Sequence, residues 1–368
     1  MSTQDLAKNF DFQPAGSTLA DVQTPVPVID LAVVARNIER WQQRCDKLGI
    51  ANRPHIKTHK LVPLARAQLA RGAKGITVQK LGEAEVMADA GIRDLLLTFN
   101  VLGRQKLERL AALARRTDLA VTVDSQQVAD GVAWAGGAAG RPIRVLVEVD
   151  TGAGRCGLQT PEAALSLARR IAGTKDLRFG GLMTYPRNGG RAQTAAFMAA
   201  ARELLHKDGL AVDTVSTGGT PDMWKDEGLA GMTEYRAGTY IYHDRSQIAA
   251  GAATPADLAL TVLATVVSRP TADRAIIDAG SKALTSDLLG LSGYGALAGA
   301  PEAVVYALSE EHGFVDVSKL AVPPKVGQQV RVVPNHVCPV SNLYDRVVIL
   351  DGEAVLGAVK VDARGTVT

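Results

Sequence analysis

The chain has 368 residues, 46% hydrophobic and 4% aromatic, with 41 Lys and Arg against 38 Asp and Glu for a formal charge of +3. That length accommodates one large domain and a smaller one, each with its own core. Near-balanced, interspersed charge with few aromatics excludes a nucleic-acid surface, and no apolar run approaches the roughly 20 residues of a membrane span, so small-molecule partners are expected.

Residues 1–25 carry no charged region followed by an apolar core, and Cys45, Cys156 and Cys338 are too widely spaced for a disulfide framework. Both features predict a reducing, cytoplasmic setting. Residues 1–25 are expected to pack against the C-terminal domain. A leading strand at 26–30 and a helix through Trp41 precede strands at 53–58, 75–79, 94–99, 119–124, 143–150, 178–185, 212–217 and 233–242. The first seven are each followed by an amphipathic helix, such as 82–90 or 104–115. This alternation predicts an α/β fold with a (β/α)8 TIM barrel over 26–248. A doubly wound sheet is disfavoured, because no Gly-x-Gly-x-x-Gly follows the first strand. Strands at 258–267, 274–278, 304–308, 328–333, 346–350 and 358–361, without long helices, predict a C-terminal all-β domain over 249–368.

A barrel gathers its chemistry at the C-terminal ends of its strands. Lys57 ends the first, within Arg53-Pro54-His55-Ile56-Lys57-Thr58-His59-Lys60, where a lysine can form a Schiff base. Gln79 ends the second, Asn100 the third, and Asp124 the fourth. Arg155 follows the fifth in Gly154-Arg155-Cys156-Gly157, and Tyr185 ends the sixth. The last two strands lead into Ser216-Thr217-Gly218-Gly219-Thr220 and Gly238-Thr239-Tyr240. Taken singly, a basic cluster is a solvated patch and a glycine-rich turn is a tight turn. Together, hydroxyls and backbone N–H groups after strands seven and eight suit a phosphate, and a phosphate pocket facing a strand-end lysine points to pyridoxal phosphate. In Pro334-Asn335-His336-Val337-Cys338, an extended chain continuing from 328–333 would put imidazole and thiolate on one face, where they can bind one metal ion.

With Glu83-Ala84-Glu85, Asp278-Ala279-Gly280 and Glu310-Glu311-His312-Gly313, these motifs resemble the alanine-racemase-like, fold type III pyridoxal enzymes. The resemblance is to the branch of D-threonine aldolases and eukaryotic-type D-serine dehydratases, and it runs from Thr24 to about Tyr344. It implies that Lys57 is the Schiff-base lysine, that Arg155 lies near the cofactor's phenolic oxygen, and that Tyr185 is close to the ring. It also implies that Ser216, Thr217, Gly218, Gly219 and Thr220, with Gly238, Thr239 and Tyr240, hold the phosphate. His336 and Cys338 match the branch's metal ligands, for zinc, manganese or magnesium. The candidate catalytic set is Lys57, His55, Arg155 and Tyr185, with Gln79 added to the cofactor contacts.

The activity implied is a metal-assisted lyase on D-β-hydroxy amino acids, acting as a homodimer. D-threonine aldolase comes first and D-serine or D-3-hydroxyaspartate dehydratase is the alternative, ahead of a racemase or a non-catalytic carrier. Two positions depart from the aldolase pattern. Cys338 stands where aldolases carry Asp, and Arg191 stands where they carry a histidine six residues after the tyrosine. Arg187 and Arg191 are read as solvent-facing or as contacts to a substrate carboxylate. His243 and Asp244 are read as active-site rim or as structural. Glu310 and His312 are expected to support the site.

Overall fold

Residues 2–226 and 228–368 are described in the computed structural model of the protein. β1 (Val26–Asp30) precedes a parallel eight-stranded sheet made of β2 (Ala51–Asn52), β3 (Ile76–Val78), β4 (Asp94–Leu97), β5 (Asp118–Val123), β6 (Ile143–Glu148), β7 (Leu177–Met183), β8 (Thr214–Thr217) and β9 (Glu234–Tyr235). The order is β2-β9-β8-β7-β6-β5-β4-β3, and a parallel bridge between His55 and Thr77 brings the β2 end back to β3. The sheet therefore curls into the expected barrel. Leu96, Ala120, Leu146 and Met183 cluster among buried side chains of four successive strands. The helices are amphipathic in the usual way: Pro161–Ala172 opens on the Thr160 cap with proline in its first turn and buries Ala164, Leu167, Ala168 and Ile171.

β10 (Leu260–Ser268), β11 (Arg274–Ile277), β12 (Gly295–Leu297), β13 (Ala300–Leu308), β14 (Gly313–Asp316), β15 (Gln329–Pro334), β16 (Arg346–Asp351) and β17 (Ala354–Lys360) join β1 in a nine-stranded sheet. A further pairing of β11 with β10 closes part of it on itself. β12 and β14 are short strands that the sequence reading left out.

The chain divides into two units. One holds Gln42–Lys57, Gln68–Gly238 and Thr366–Thr368; the other holds the chain up to Trp41, Thr58–Ala67 and Thr239–Gly365. The leading strand β1, placed by sequence at the start of the 26–248 segment, lies instead between β10 and β16, with Val28 opposite both Thr261 and Val348. Burial on both faces decides this, since Val28 and Ile29 are both fully buried. Gln13 likewise bridges to Ala358.

Three local expectations are corrected. The 53–58 strand is short, because Pro54 has no N–H for the ladder; the last ladder-type bond is His55 N–H to Ala237 O, and Ile56–Thr58 is a 3-10 turn. The 233–242 strand is only β9, followed by a second 3-10 turn at Thr239–Ile241. Extension does not reach Cys338 either: His336 is still extended but is the N-cap position of a helix, Val337–Leu343, so Cys338 is helical.

Candidate active site

In the barrel unit, half-buried Lys57 sits in the 3-10 turn just beyond the β2 end of the sheet. The Gln79 amide donates to Thr98 O at 2.8 Å, which turns its oxygen toward His55 Nε2 at 3.1 Å. His55 Nε2 is therefore the protonated nitrogen, and Nδ1 accepts the Lys57 backbone N–H at 3.4 Å. His55, expected among the catalytic groups, holds the lysine's backbone through Nδ1. Gln79, expected at the cofactor, spends its side chain on that clamp, and its own N–H donates to Glu83 in the first turn of the next helix.

Arg155 and Tyr185 do come together: the guanidinium lies 4.8 Å from the centre of the Tyr185 ring, a cation–π contact at the open end of the barrel. The loop that carries Arg155 is preorganised. Asp150 accepts the N–H groups of Gly152, Ala153 and Gly154, and Gly157 donates to Asp124. Beneath it, the Glu148 carboxylate is 4.0 Å from Arg155. Burial pushes the Glu148 carboxyl up, with Arg155 and Arg236 working against it. Sequence reasoning missed Glu148, although an acidic residue at the end of the apolar run Val145-Leu146-Val147 was a usable signal.

The seventh-strand loop is split in function. Ser216, expected at the phosphate, donates to Glu234 at 2.6 Å and accepts from Arg236 at 2.6 Å, so its hydroxyl serves the buried network that also holds Arg53. Thr217 is the last residue of β8, and Thr220 opens a 3-10 turn; both are buried. Gly218 and Gly219 differ: among the described residues their amides donate to no protein acceptor. Gly218 has φ +106°, and a Cβ there would meet the Tyr235 ring at 2.4 Å, so only glycine fits. Gly238 belongs to this unit, whereas Thr239 and Tyr240 belong to the other, where Thr239 Oγ1 lies 3.7 Å from Cys338 Sγ and Tyr240 packs on Trp41. Arg187 is exposed; Arg191 is buried and donates to Asp222 O at 2.5 Å, so it is not solvent-facing.

In the β unit, His336 and Cys338 are in contact through their side chains. His336 Nδ1 is 2.8 Å from Asp287 Oδ2. Burial works against a charged ring, yet Cys338 and Asp287 outweigh it and push His336 up to about 9. Thr58 Oγ1 is 3.2 Å from the Cys338 sulfur. The buried Tyr242 hydroxyl, without a hydrogen-bond partner among the described residues, feels the Cys338 charge, which adds to burial in pushing the phenol well up. Asp244 Oδ2 accepts the Val337 N–H at 3.1 Å and Oδ1 that of Gln247 at 3.0 Å, a structural role. His243 is buried, and burial pulls it down to about 4 despite Asp257. Glu310 and His312 are exposed in the turn between β13 and β14.

The family model of the alanine racemase N-terminal domain matches residues 29–246, and that of the serine dehydratase domain matches 259–350. A D-threonine aldolase of an Arthrobacter species is 37% identical over 95% of this chain and 95% of its own. The chain belongs to the D-threonine aldolase and D-serine dehydratase family of alanine-racemase-like barrels. Within that family, the crystal structure of D-threonine aldolase from Filomicrobium marinum has a TM-score of 0.90 at 33% identity and covers 97% of this chain and 100% of that one. A cysteine-to-alanine mutant of D-threo-3-hydroxyaspartate dehydratase in the metal-free form has a TM-score of 0.85 at 32% identity, with coverage of 94% and 99%.

The residues present fit the groups this family implies. The amides of Gly218 and Gly219, which donate to no protein acceptor among the described residues, are backbone donors of the kind a phosphate uses. An imidazole, a thiol and an orphaned buried hydroxyl suit a metal and its ligand water. No group of three or more His, Cys, Asp and Glu arranged to hold a metal occurs among the described residues.

Proposed function

We propose that this chain is a pyridoxal-phosphate- and metal-dependent lyase on D-β-hydroxy amino acids, cleaving D-threonine-type substrates to glycine and an aldehyde. The contact of His336 with Cys338 carries the reading, because a two-ligand metal pair is what a lyase needs at a substrate hydroxyl and what a carrier or racemase does not. Lys57 would hold the cofactor aldehyde, Gly218 and Gly219 its phosphate, and Arg155 its phenolic oxygen. The cofactor, when bound, supplies an electron sink for the substrate's α-carbon, and a divalent ion supplies a Lewis acid for its β-hydroxyl. His55 keeps Lys57 in register, so that its amine can deliver a proton to the α-carbon once the carbon–carbon bond has broken. The Cys338 thiolate favours zinc over manganese or magnesium.

One observation favours a second reading. Arg191 is buried on Asp222 O where an aldolase would carry its histidine, and elimination to a 2-oxoacid and ammonia does not call for that base. Incubation with D-threonine, D-serine and D-3-hydroxyaspartate decides between them: glycine plus an aldehyde means cleavage, ammonia plus a 2-oxoacid means dehydration, and neither product overturns the lyase reading. We also infer a cytoplasmic homodimer. All three cysteines are free, as a reducing compartment requires. Light scattering that returned a fully active monomer would remove the dimer.

A further inference from the structure

Asn335 and Asp287 have no part in the chemistry above, yet the structure spends unusual effort on them. Asn335 is fully buried, and its amide donates to the carbonyls of Asp287 at 3.1 Å, Leu288 at 3.4 Å and Gly293 at 2.8 Å. Its own oxygen accepts from Arg245 at 2.6 Å, which fixes the amide's orientation. One side chain thus braces the 287–293 segment against the residue next to His336. That segment is also strained. Thr285 and Leu289, on either side of Asp287, hold φ of 67° and 48°, a left-handed conformation that a side chain ordinarily avoids. Strain of this kind persists only where surrounding contacts enforce it, and here those contacts present the Asp287 carboxylate to His336 Nδ1 at 2.8 Å.

We propose that Asp287, held by Asn335, is the positioning residue of the metal pair: its carboxylate accepts the Nδ1–H of His336, so that the proton stays on Nδ1, Nε2 is left as the ligand nitrogen and the ring cannot turn away from Cys338. A carboxylate on the outer nitrogen of a ligand histidine both selects the tautomer and strengthens the ligand. The inference rests on His336 and Cys338 being the metal ligands, and it adds the residue that aims them.

Zinc affinity of the purified, cofactor-loaded protein, read by competition with a chromogenic chelator, tests it. Asp287→Ala should weaken zinc binding by about 10- to 100-fold, with the cofactor absorbance and thermal midpoint unchanged. Asp287→Asn should recover part of the loss, because its amide oxygen still accepts from Nδ1, and it serves as the readout should the alanine variant fold poorly. Affinity within about twofold of wild type in Asp287→Ala, alongside a large loss in His336→Ala, overturns this inference alone. A wild-type protein that binds no zinc overturns the metal reading and this inference with it.

Discussion

Lys57 and Lys60 lie three residues apart in one motif, and their surroundings separate them. Lys57 is half-buried on a turn whose backbone His55 holds, whereas Lys60 is buried at φ 56° with Nζ 3.3 Å from Ala363 O. Lys57→Ala should therefore lose the cofactor's absorbance near the visible edge and nearly all turnover, while Lys60→Ala keeps the absorbance; the reverse pattern in spectra of the two variants would move the assignment by three residues. Glu148 gives a pH prediction. Burial raises its carboxyl above the ordinary 4.5, so its contribution to stability is complete below that value and is lost as pH rises through the raised one. Glu148→Gln does not titrate, and its urea midpoint should gain on wild type between pH 4 and 8. Parallel midpoint curves would show that Glu148 titrates normally. The same variant loosens Arg155 over Tyr185, so stability and activity should move in opposite directions.

At the scale of elements, helix ends bring the proposed metal ligands, His336 and Cys338, together. Asp244 caps Arg245–Ala249 through Oδ1 and accepts the Val337 N–H through Oδ2, so one buried carboxylate holds the start of both helices. Asp244→Ala leaves the buried Val337 N–H unpaired and removes the carboxylate acceptor of the Gln247 N–H and the Ser246 hydroxyl, so it should cost about 1–3 kcal/mol of stability by urea denaturation. Metal affinity should fall with it and cofactor absorbance should not. Unchanged metal binding in a destabilised Asp244→Ala would mean that the His336–Cys338 segment keeps its geometry without the cap. This element also shows where pattern reading stopped. Alternation in β15 was visible in the sequence, and so was the His-x-Cys pair. The helix that ends the strand depends on a carboxylate 93 residues away, and no local periodicity reports that.

At the scale of the whole molecule, the proposed cofactor contacts Lys57, Gly218, Gly219 and Arg155 belong to one unit, and His336, Cys338 and Asp287 to the other. The two functions should therefore come apart under chelation. A chelator should abolish turnover while leaving the cofactor absorbance, and added zinc should restore activity. Because both ligands must be deprotonated to bind, metal affinity should weaken as pH falls. Cys338→Asp should keep a site with its preference moved toward manganese. Full turnover in metal-free protein would make His336 and Cys338 structural. No helix among the described residues is long and apolar enough to cross a membrane.

Hydrophobic periodicity and turn residues are local properties, and what depends on them was legible: the run of strands and helices that makes the barrel, the all-β character after residue 249, and the lysine beyond the first barrel strand. The His-x-Cys pair was legible as chemistry but not as geometry. Tertiary structure alone decided that β1 joins the C-terminal sheet, that His55 clamps and Arg191 is buried, and that Glu148 stands under Arg155. It alone brought Asp287 to His336 across 49 residues and Thr58 to Cys338 across 280. Partners that far apart meet only when the unit of the nine-stranded sheet closes, because the backbone pairings of whole elements, and not the residues flanking each side chain, set where it ends up.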